Sequence, residues 1–365
     1  MNDIAVVVDL RLSGYQRAGI ATYGARLAEA IAEHDLADIQ VITTAHRPTD
    51  PELEGFRQIR SWTPPHHRME QFGLACELAN LRVDVVHFPD FIPARVLGPP
   101  SVITVHDLAF ARFPRFLTAT SARYYGQLSW AVHAAERIIA VSRTTADDLI
   151  DLYGASPGKI DVVYEAPDPI LRDVAPHSVG PNPWGLGGGY LLFVGTREPR
   201  KNLTGLLDGY ARARNHRRMP PLVIAGRRGW LVDDLEERAR TLGIADAVHW
   251  IGGVARHQMP GLFGGALALI LASHYEGFGL PVVDAMAMGV PCIVSRRGAL
   301  PEIAGNAALY VDPDDTQSIA TALRRIVDEP RLRDDLSRLG HQRAAMYTWQ
   351  RVAEETIEVY RRASA

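Results

Sequence analysis

Cysteine is almost missing from this chain. There are two in 365 residues, Cys76 and Cys292, both in apolar surroundings and not at metal-ligand spacing. That excludes a disulfide-stapled scaffold or a cysteine-built zinc site and fits buried thiols in a reducing compartment. Long hydrophobic runs are missing too, so no segment has transmembrane length. The N-terminus, MNDIAVVVDL, enters a strand directly, without a signal peptide's basic region and cleavage site. Charge of one sign is not in excess: 39 Lys and Arg face 42 Asp and Glu, a net charge of −3. Nothing there asks for a nucleic acid partner. The expectation is a cytoplasmic protein, with peripheral contact at the inner face of a membrane left open. The GxGxxG dinucleotide fingerprint is absent as well, which argues against a dehydrogenase.

What is present is a strand–helix alternation in a chain too long for a single core. Apolar runs predict strands over 4–10, 39–43, 84–88, 101–106, 137–141 and 160–163. Helices are predicted over 69–81, 118–136 and 143–153, the last capped by Ser142. The polar stretch 48–68, with His66, His67 and Arg68 at its end, reads as irregular surface that could meet an acidic acceptor or a membrane. Residues 166–189 are dense in Pro and Gly and read as a linker. The alternation then restarts, with strands over 190–194, 221–225, 248–251, 266–272 and 292–295. The class is α/β, with two doubly wound parallel sheets.

The most informative stretch is ALALILASHYEGFGLPVVDAMAMGVPCIVS, residues 266–295. A buried strand leads into a loop with Gly277 and Gly279, then into a helix beginning near Leu280. Inward-turned amides and the positive end of that helix would make an anion site. Glu276 in the loop and Asp284, expected on the first helical turn, border it, placed to accept hydrogen bonds from sugar or ribose hydroxyls. On the same rim, Gly195 closes strand 190–194 and is followed by Arg197, Arg200 and Lys201, cations suited to a diphosphate. The turn Gly252-Gly253-Val254 could show its backbone to a nucleobase. Gly14, Gly19, His87 and His106 fall at strand or helix ends on the corresponding rim of the first half, where open α/β sheets bind ligands. Asp312-Pro313-Asp314 matches a metal-binding DxD pattern in form, but a helix cap suits it better. No other cluster has metal-ligand spacing.

With these motifs in view, the chain resembles a known family. VGTREPRKN, GRRGW, ASHYEGFGLPVVDAMAMGVPCIVS and RGALPEIAGNAALYVDPDD are similar to the donor half of family 4 glycosyltransferases of the GT-B fold. DVVHFPDFIP, TVHDLAF and ERIIAVSRTTADDL are similar to the acceptor half, and TWQRVAEETIEVYRRA to the C-terminal helix. The resemblance implies two Rossmann-like domains facing a central cleft: 1–170 for the acceptor, a linker over 171–189, 190–347 for the donor, and 348–365 as a helix crossing back to the first domain. It implies retaining transfer of a hexose, with a lean to mannose, from a GDP- or UDP-sugar to a glycan, lipid-linked or small-molecule acceptor, without cofactor or essential metal. Arg200 and Lys201 match the cations on the donor diphosphate. Glu276 matches the first acid of the Glu-x7-Glu pattern, which touches the donor sugar. Phe278, Gly279 and Leu280 match the loop whose amides meet sugar and phosphate, Gly19 the glycine loop over the phosphates, and His106 a histidine facing the donor sugar. The second acid is Asp284 instead of Glu, which touches ribose binding. An epimerase or phosphorylase of the same architecture, or a nucleotide-sugar-binding protein without turnover, are the alternatives.

Overall fold

The computed structural model describes residues 4–15, 19–48, 50–67, 70–95, 98–116, 119–172, 184–187, 189–215, 218–229 and 234–365. Much of the expected linker (173–183 and 188) lies outside these residues, as do Arg68, Trp230 and the expected helix starts Met69 and Thr118. The chain divides into two units, Met1–Glu165 with Thr348–Ala365, and Ala166–Tyr347.

Unit 1 is built on seven parallel strands: β1 (Ala5–Asp9), β2 (Asp38–Thr44), β3 (Arg57–Ser61), β4 (Val85–Phe88), β5 (Ser101–Val105), β6 (Arg137–Ala140) and β7 (Ile160–Val162). Their order is β3-β2-β1-β4-β5-β6-β7. The central strands are apolar on both faces, as a parallel sheet covered by helices requires. The helices are α1 (Gly19–Glu33), α2 (Glu70–Leu78), α3 (Ala109–Arg112), α4 (Ala119–Tyr125), α5 (Leu128–Ala134) and α6 (Arg143–Tyr153). Ser142 caps α6, its hydroxyl accepting from the Thr145 amide.

Two expectations are corrected here. Stretch 48–68 is not wholly irregular, because it contains β3. This strand reads RQIRS and lies at the sheet's edge, where one face meets water, so it lacks the apolar run of a central strand. The helix expected over 118–136 is two helices, α4 and α5, parted at Gly126 and Gln127.

Unit 2 has six parallel strands: β8 (Tyr190–Val194), β9 (Leu222–Ala225), β10 (Val248–Ile251), β11 (Ala266–Leu271), β12 (Cys292–Ser295) and β13 (Ala308–Val311). Their order is β10-β9-β8-β11-β12-β13. The helices are α7 (Leu203–Arg214), α8 (Leu235–Thr241), α9 (Met259–Gly264), α10 (Leu280–Ala287), α11 (Leu300–Ala304), α12 (Thr316–Asp328) and α13 (Pro330–Ala344). Asn202 caps α7, accepting from the Gly205 amide. The cap of α12 is Asp315, one residue beyond the DxD match. Asp312 accepts the Asp314 amide in a turn, and Asp314 pairs with Arg297.

The last helix, Trp349–Ser364, belongs to unit 1 and buries Val352, Ile357 and Tyr360. The Tyr360 hydroxyl lies 2.7 Å from His87 Nδ1, and Thr104 Oγ1 lies 2.8 Å from His87 Nε2. His87 is thus a structural residue rather than a ligand group. Burial first, and the neighbouring His106 second, push its pKa down to about 3, so the ring is neutral. Tyr360→Phe would leave a buried ring nitrogen without its partner. The expected loss is about 1–3 kcal/mol of unfolding free energy, read by urea denaturation.

Candidate active site

In both sheets the strand order reverses beside the first strand of the unit, and ligands bind outside the carboxyl ends of strands at such a switch point. In unit 2 the reversal lies between β8 and β11. The loops that leave those two strands carry Arg200 and Lys201 on one side and Glu276 on the other.

The structure brings these three together. Lys201 Nζ donates to Glu276 Oε1 at 2.8 Å and Oε2 at 2.7 Å. Arg200 Nη1 donates to Glu276 Oε2 at 2.9 Å and to the Tyr275 carbonyl at 3.2 Å. The side chains of Lys201 and Glu276 are only 9% and 5% exposed. Burial would raise the Glu276 pKa, but the charges of Lys201 and Arg200, with hydrogen bonds from Lys201 and Ser273, outweigh it and hold it at about 2.

Sequence reading missed the residues that position this cluster. Ser273 Oγ donates to Glu276 Oε1 at 2.6 Å, and Ser295 Oγ to the Ser273 carbonyl at 2.6 Å. Glu198 pairs with Arg200 Nε at 2.9 Å. Gly298, at φ +56°, packs so closely that a Cβ there would lie 2.5 Å from the Glu276 carbonyl oxygen. Of these, Glu198 had a signal in its own loop, two residues before Arg200. Arg197 points elsewhere, pairing with Glu236 and lying over the Trp250 ring.

Gly279 sits at φ +104° as the N-cap of α10, so the amide end of that helix opens into the same loop as Glu276. Gly277 does not share this left-handed backbone. Leu280 is the first residue of α10, and Phe278 is buried with its ring against Tyr347. Asp284 is the fifth residue of α10, not on its first turn. Its Oδ1 accepts the Asp168 amide at 2.9 Å, and Asp168 is in turn clasped by Arg256 Nε and Nη2 at 2.7 and 2.6 Å. Gly195 lies at the end of β8, and a Cβ on Gly226 would fall 1.8 Å from its carbonyl oxygen. Val254 follows β10, two strands from β8, and packs against the core of unit 2.

In unit 1, Gly19 is the first residue of α1, and a Cβ there would meet nothing within 4 Å. Gly14 is instead fixed by packing on Thr44. His106 Nε2 lies 2.9 Å from the Pro89 carbonyl, to which it donates, and Nδ1 lies 2.8 Å from Glu165 Oε1. Burial lowers the pKa of this ring, but the hydrogen bond and charge of Glu165 raise it above the usual value. Both ring nitrogens are therefore engaged within the protein.

The folded pKa of Glu276 lies below its ordinary value of 4.5. The ionised group thus stabilises the fold above that pH, and its contribution is lost as pH falls toward about 2. Glu276→Gln leaves Lys201 buried without its counter-charge and should cost about 3 kcal/mol at neutral pH. Urea titrations of the two proteins should converge as the pH drops through that window.

A family model described as "Glycosyl transferases group 1" matches residues 181–343, and one described as "Glycosyltransferase Family 4" matches residues 17–169. The MMP alpha-(1->4)-mannosyltransferase of Mycolicibacterium hassiacum is 31% identical over 338 residues, covering 84% of this chain and 78% of that protein. The O-antigen chain mannosyltransferase B of Escherichia coli is 29% identical over 299 residues, covering 79% and 76%. Among solved structures, Anabaena Alr3699/HepE in complex with UDP and glucose superposes with a TM-score of 0.76 at 17% identity, covering 97% of this chain and 98% of that one. Two parallel Rossmann-like sheets, one matched by each family model, together with a relative 31% identical over 84% of the chain, place the chain in the family 4, group 1 glycosyltransferases of the GT-B fold, and it is a glycosyltransferase.

Proposed function

We propose that this enzyme moves a hexose, mannose by preference, from a nucleotide diphosphate sugar to a hydroxyl of a glycan or lipid-linked acceptor, with retention at the anomeric carbon. The observation that carries this reading is the meeting of Arg200, Lys201 and the amide end of α10 at the switch point of unit 2. In glycosyl transfer, negative charge grows on the departing diphosphate. Fixed cations and helix amides stabilise that charge more in the transition state than in the ground state. An ammonium has three donors, and Lys201 directs two hydrogen bonds to Glu276. The pairing that holds it in place is thus compatible with a further bond to phosphate. Arg200 supplies a planar fork suited to phosphate oxygens.

Glu276 is read as the carboxylate nearest the donor sugar, and Asp284 as the group nearest the ribose, acting with the Asp168 amide beside it. Gly279, Leu280 and Phe278 then frame the sugar and phosphate, and Val254 the base. No carboxylate stands out as a nucleophile, so the proposed route is front-face attack. The acceptor oxygen bonds to the anomeric carbon as the carbon–phosphate oxygen bond breaks, and the acceptor proton passes to the leaving phosphate. The cations and amides serve in place of a metal. Mannose is favoured because both curated relatives above are named mannosyltransferases. GDP-mannose is the first donor to try, and UDP-hexoses the second.

The test is nucleotide release from a panel of GDP-, UDP- and ADP-sugars, with and without acceptor sugars. Turnover with GDP-mannose, product of unchanged anomeric configuration and insensitivity to EDTA are expected. Lys201→Ala should cut turnover about a hundredfold or more with the fold intact. Wild-type turnover in that variant would remove the diphosphate role.

A further inference from the structure

Three segments of unit 2 meet at one buried side chain that the donor reading leaves unused. Asn202 follows Lys201 directly, is 7% exposed and sits at φ +55°, a left-handed backbone that asparagine tolerates better than most residues. Its Oδ1 accepts the Gly205 amide at 3.2 Å and so caps α7. Its Nδ2 donates to the Ala272 carbonyl at 3.0 Å and to the Pro313 carbonyl at 2.8 Å. Ala272 comes just after β11, on the way to Glu276, and Pro313 lies in the turn after β13. One amide group thus joins the loop that carries the cations, the end of the strand that leads to Glu276, and the Asp312–Asp314 turn.

The fit is specific to an amide. Two of its partners are carbonyls and need a donor, while the third is an N–H and needs an acceptor. An aspartate would set a carboxylate against two carbonyl oxygens. Space is kept for the group on α7. A Cβ on Gly205 would lie 2.5 Å from Asn202 Oδ1, although glycine in a helix is less favourable than alanine. One turn further, a Cβ on Gly209 would lie 2.5 Å from Ile319 Cγ2, so α12 and the turn leading into it pack close to α7.

Other bonds tie the same segments. The His274 amide donates to the Arg200 carbonyl at 2.8 Å. The Asp314 carboxylate lies 3.4 Å from His274 Nδ1 and 3.0 Å from Arg297 Nη2. Arg297 precedes Gly298, which packs against Glu276. The Asp-x-Asp turn is therefore bonded to the cation loop, to the loop of Glu276 and to the segment behind it.

We propose that Asn202 is a positioning residue for Arg200 and Lys201, braced on the Asp312–Asp314 turn, and that it sets the spacing between the cation loop and Glu276. This rests on the diphosphate role proposed above. Groups that act on charge growing in a transition state lose much of their effect when displaced by about 1 Å. Asn202→Gly keeps the left-handed backbone and deletes the three side-chain bonds. With the donor that the wild-type enzyme turns over fastest, it should lower kcat about tenfold or more and move the donor's KM less than about threefold. Gly205→Ala is the milder variant. Alanine favours the helix, but its Cβ displaces the Asn202 amide, so kcat should fall while α7 stays intact. Tyr210→Phe is the control: it removes the bond from Tyr210 Oη to the Pro220 carbonyl at 2.8 Å, farther along α7, and should leave kcat unchanged. The urea midpoint gives a readout apart from activity. Glu276→Gln should shift it less in Asn202→Gly than in the wild-type protein, and by the full amount in Tyr210→Phe. Wild-type kcat in both Asn202→Gly and Gly205→Ala, or additive midpoint shifts for Asn202→Gly and Glu276→Gln, would overturn the proposal. A wild-type enzyme that releases no nucleotide from any donor would instead overturn the donor reading beneath it, and the urea midpoints would still decide whether Asn202 holds the cluster.

Discussion

One carboxylate sets the geometry on which the proposed donor site depends. Without Glu276, Lys201 and Arg200 would be two long, rotamer-rich cations crowded together and repelling each other. With it, both reach the same oxygen, Oε2, at 2.7 and 2.9 Å. Taking such charges out of water costs several kcal/mol per ion unless the geometry is good and the remaining hydrogen bonds are made. Here they are made: Ser273 takes Oε1, Glu198 takes the other edge of Arg200, and the Ala299 amide takes the Glu276 carbonyl at 2.9 Å. The result is a pair of cations already oriented before any anion arrives, which is where electrostatic preorganisation gains its effect.

The same logic explains how much could be read without coordinates. Strands β8, β9, β11 and β12 are apolar on both faces because helices cover the sheet, so they stand out as runs. Strand β3 is hidden because an edge strand keeps its charges. The cations and Glu276 were legible because each sits in a loop directly after a buried strand. The partners that fix them were not, because those contacts join distant parts of the chain. Asn202 shows the difference: its cap on α7 joins residues only three apart, whereas its side-chain amide also ties the Ala272 and Pro313 carbonyls, which no spacing reveals. The helix expected over 118–136 failed for a simpler reason. Apolar residues recur through Gly126 without a break in period, but the backbone does not follow them.

The departure at position 284 follows from a contact of the second kind. The family pattern has Glu there, and a shorter acid at the same position looks like a lost reach toward ribose. In the structure Asp284 meets the Asp168 amide at 2.9 Å, a partner 116 residues away in sequence, and Asp168 is pinned by the Arg256 fork and by capping the turn Pro169–Leu171. A Glu, one methylene longer, would have to fold back or push that segment aside. The Asp is therefore fitted to its protein partner.

His106 has a parallel constraint. Its two ring nitrogens face Glu165 and the Pro89 carbonyl, and although burial lowers the ring's pKa, the hydrogen bond and charge of Glu165 raise it above its ordinary value. A ring held this way is a poor general base, because giving up a proton would leave an acceptor facing an acceptor. What it offers is a ring held on both sides at the end of β5. That is in keeping with the front-face route proposed above, in which the proton passes directly from acceptor hydroxyl to leaving phosphate and no ring has to relay it.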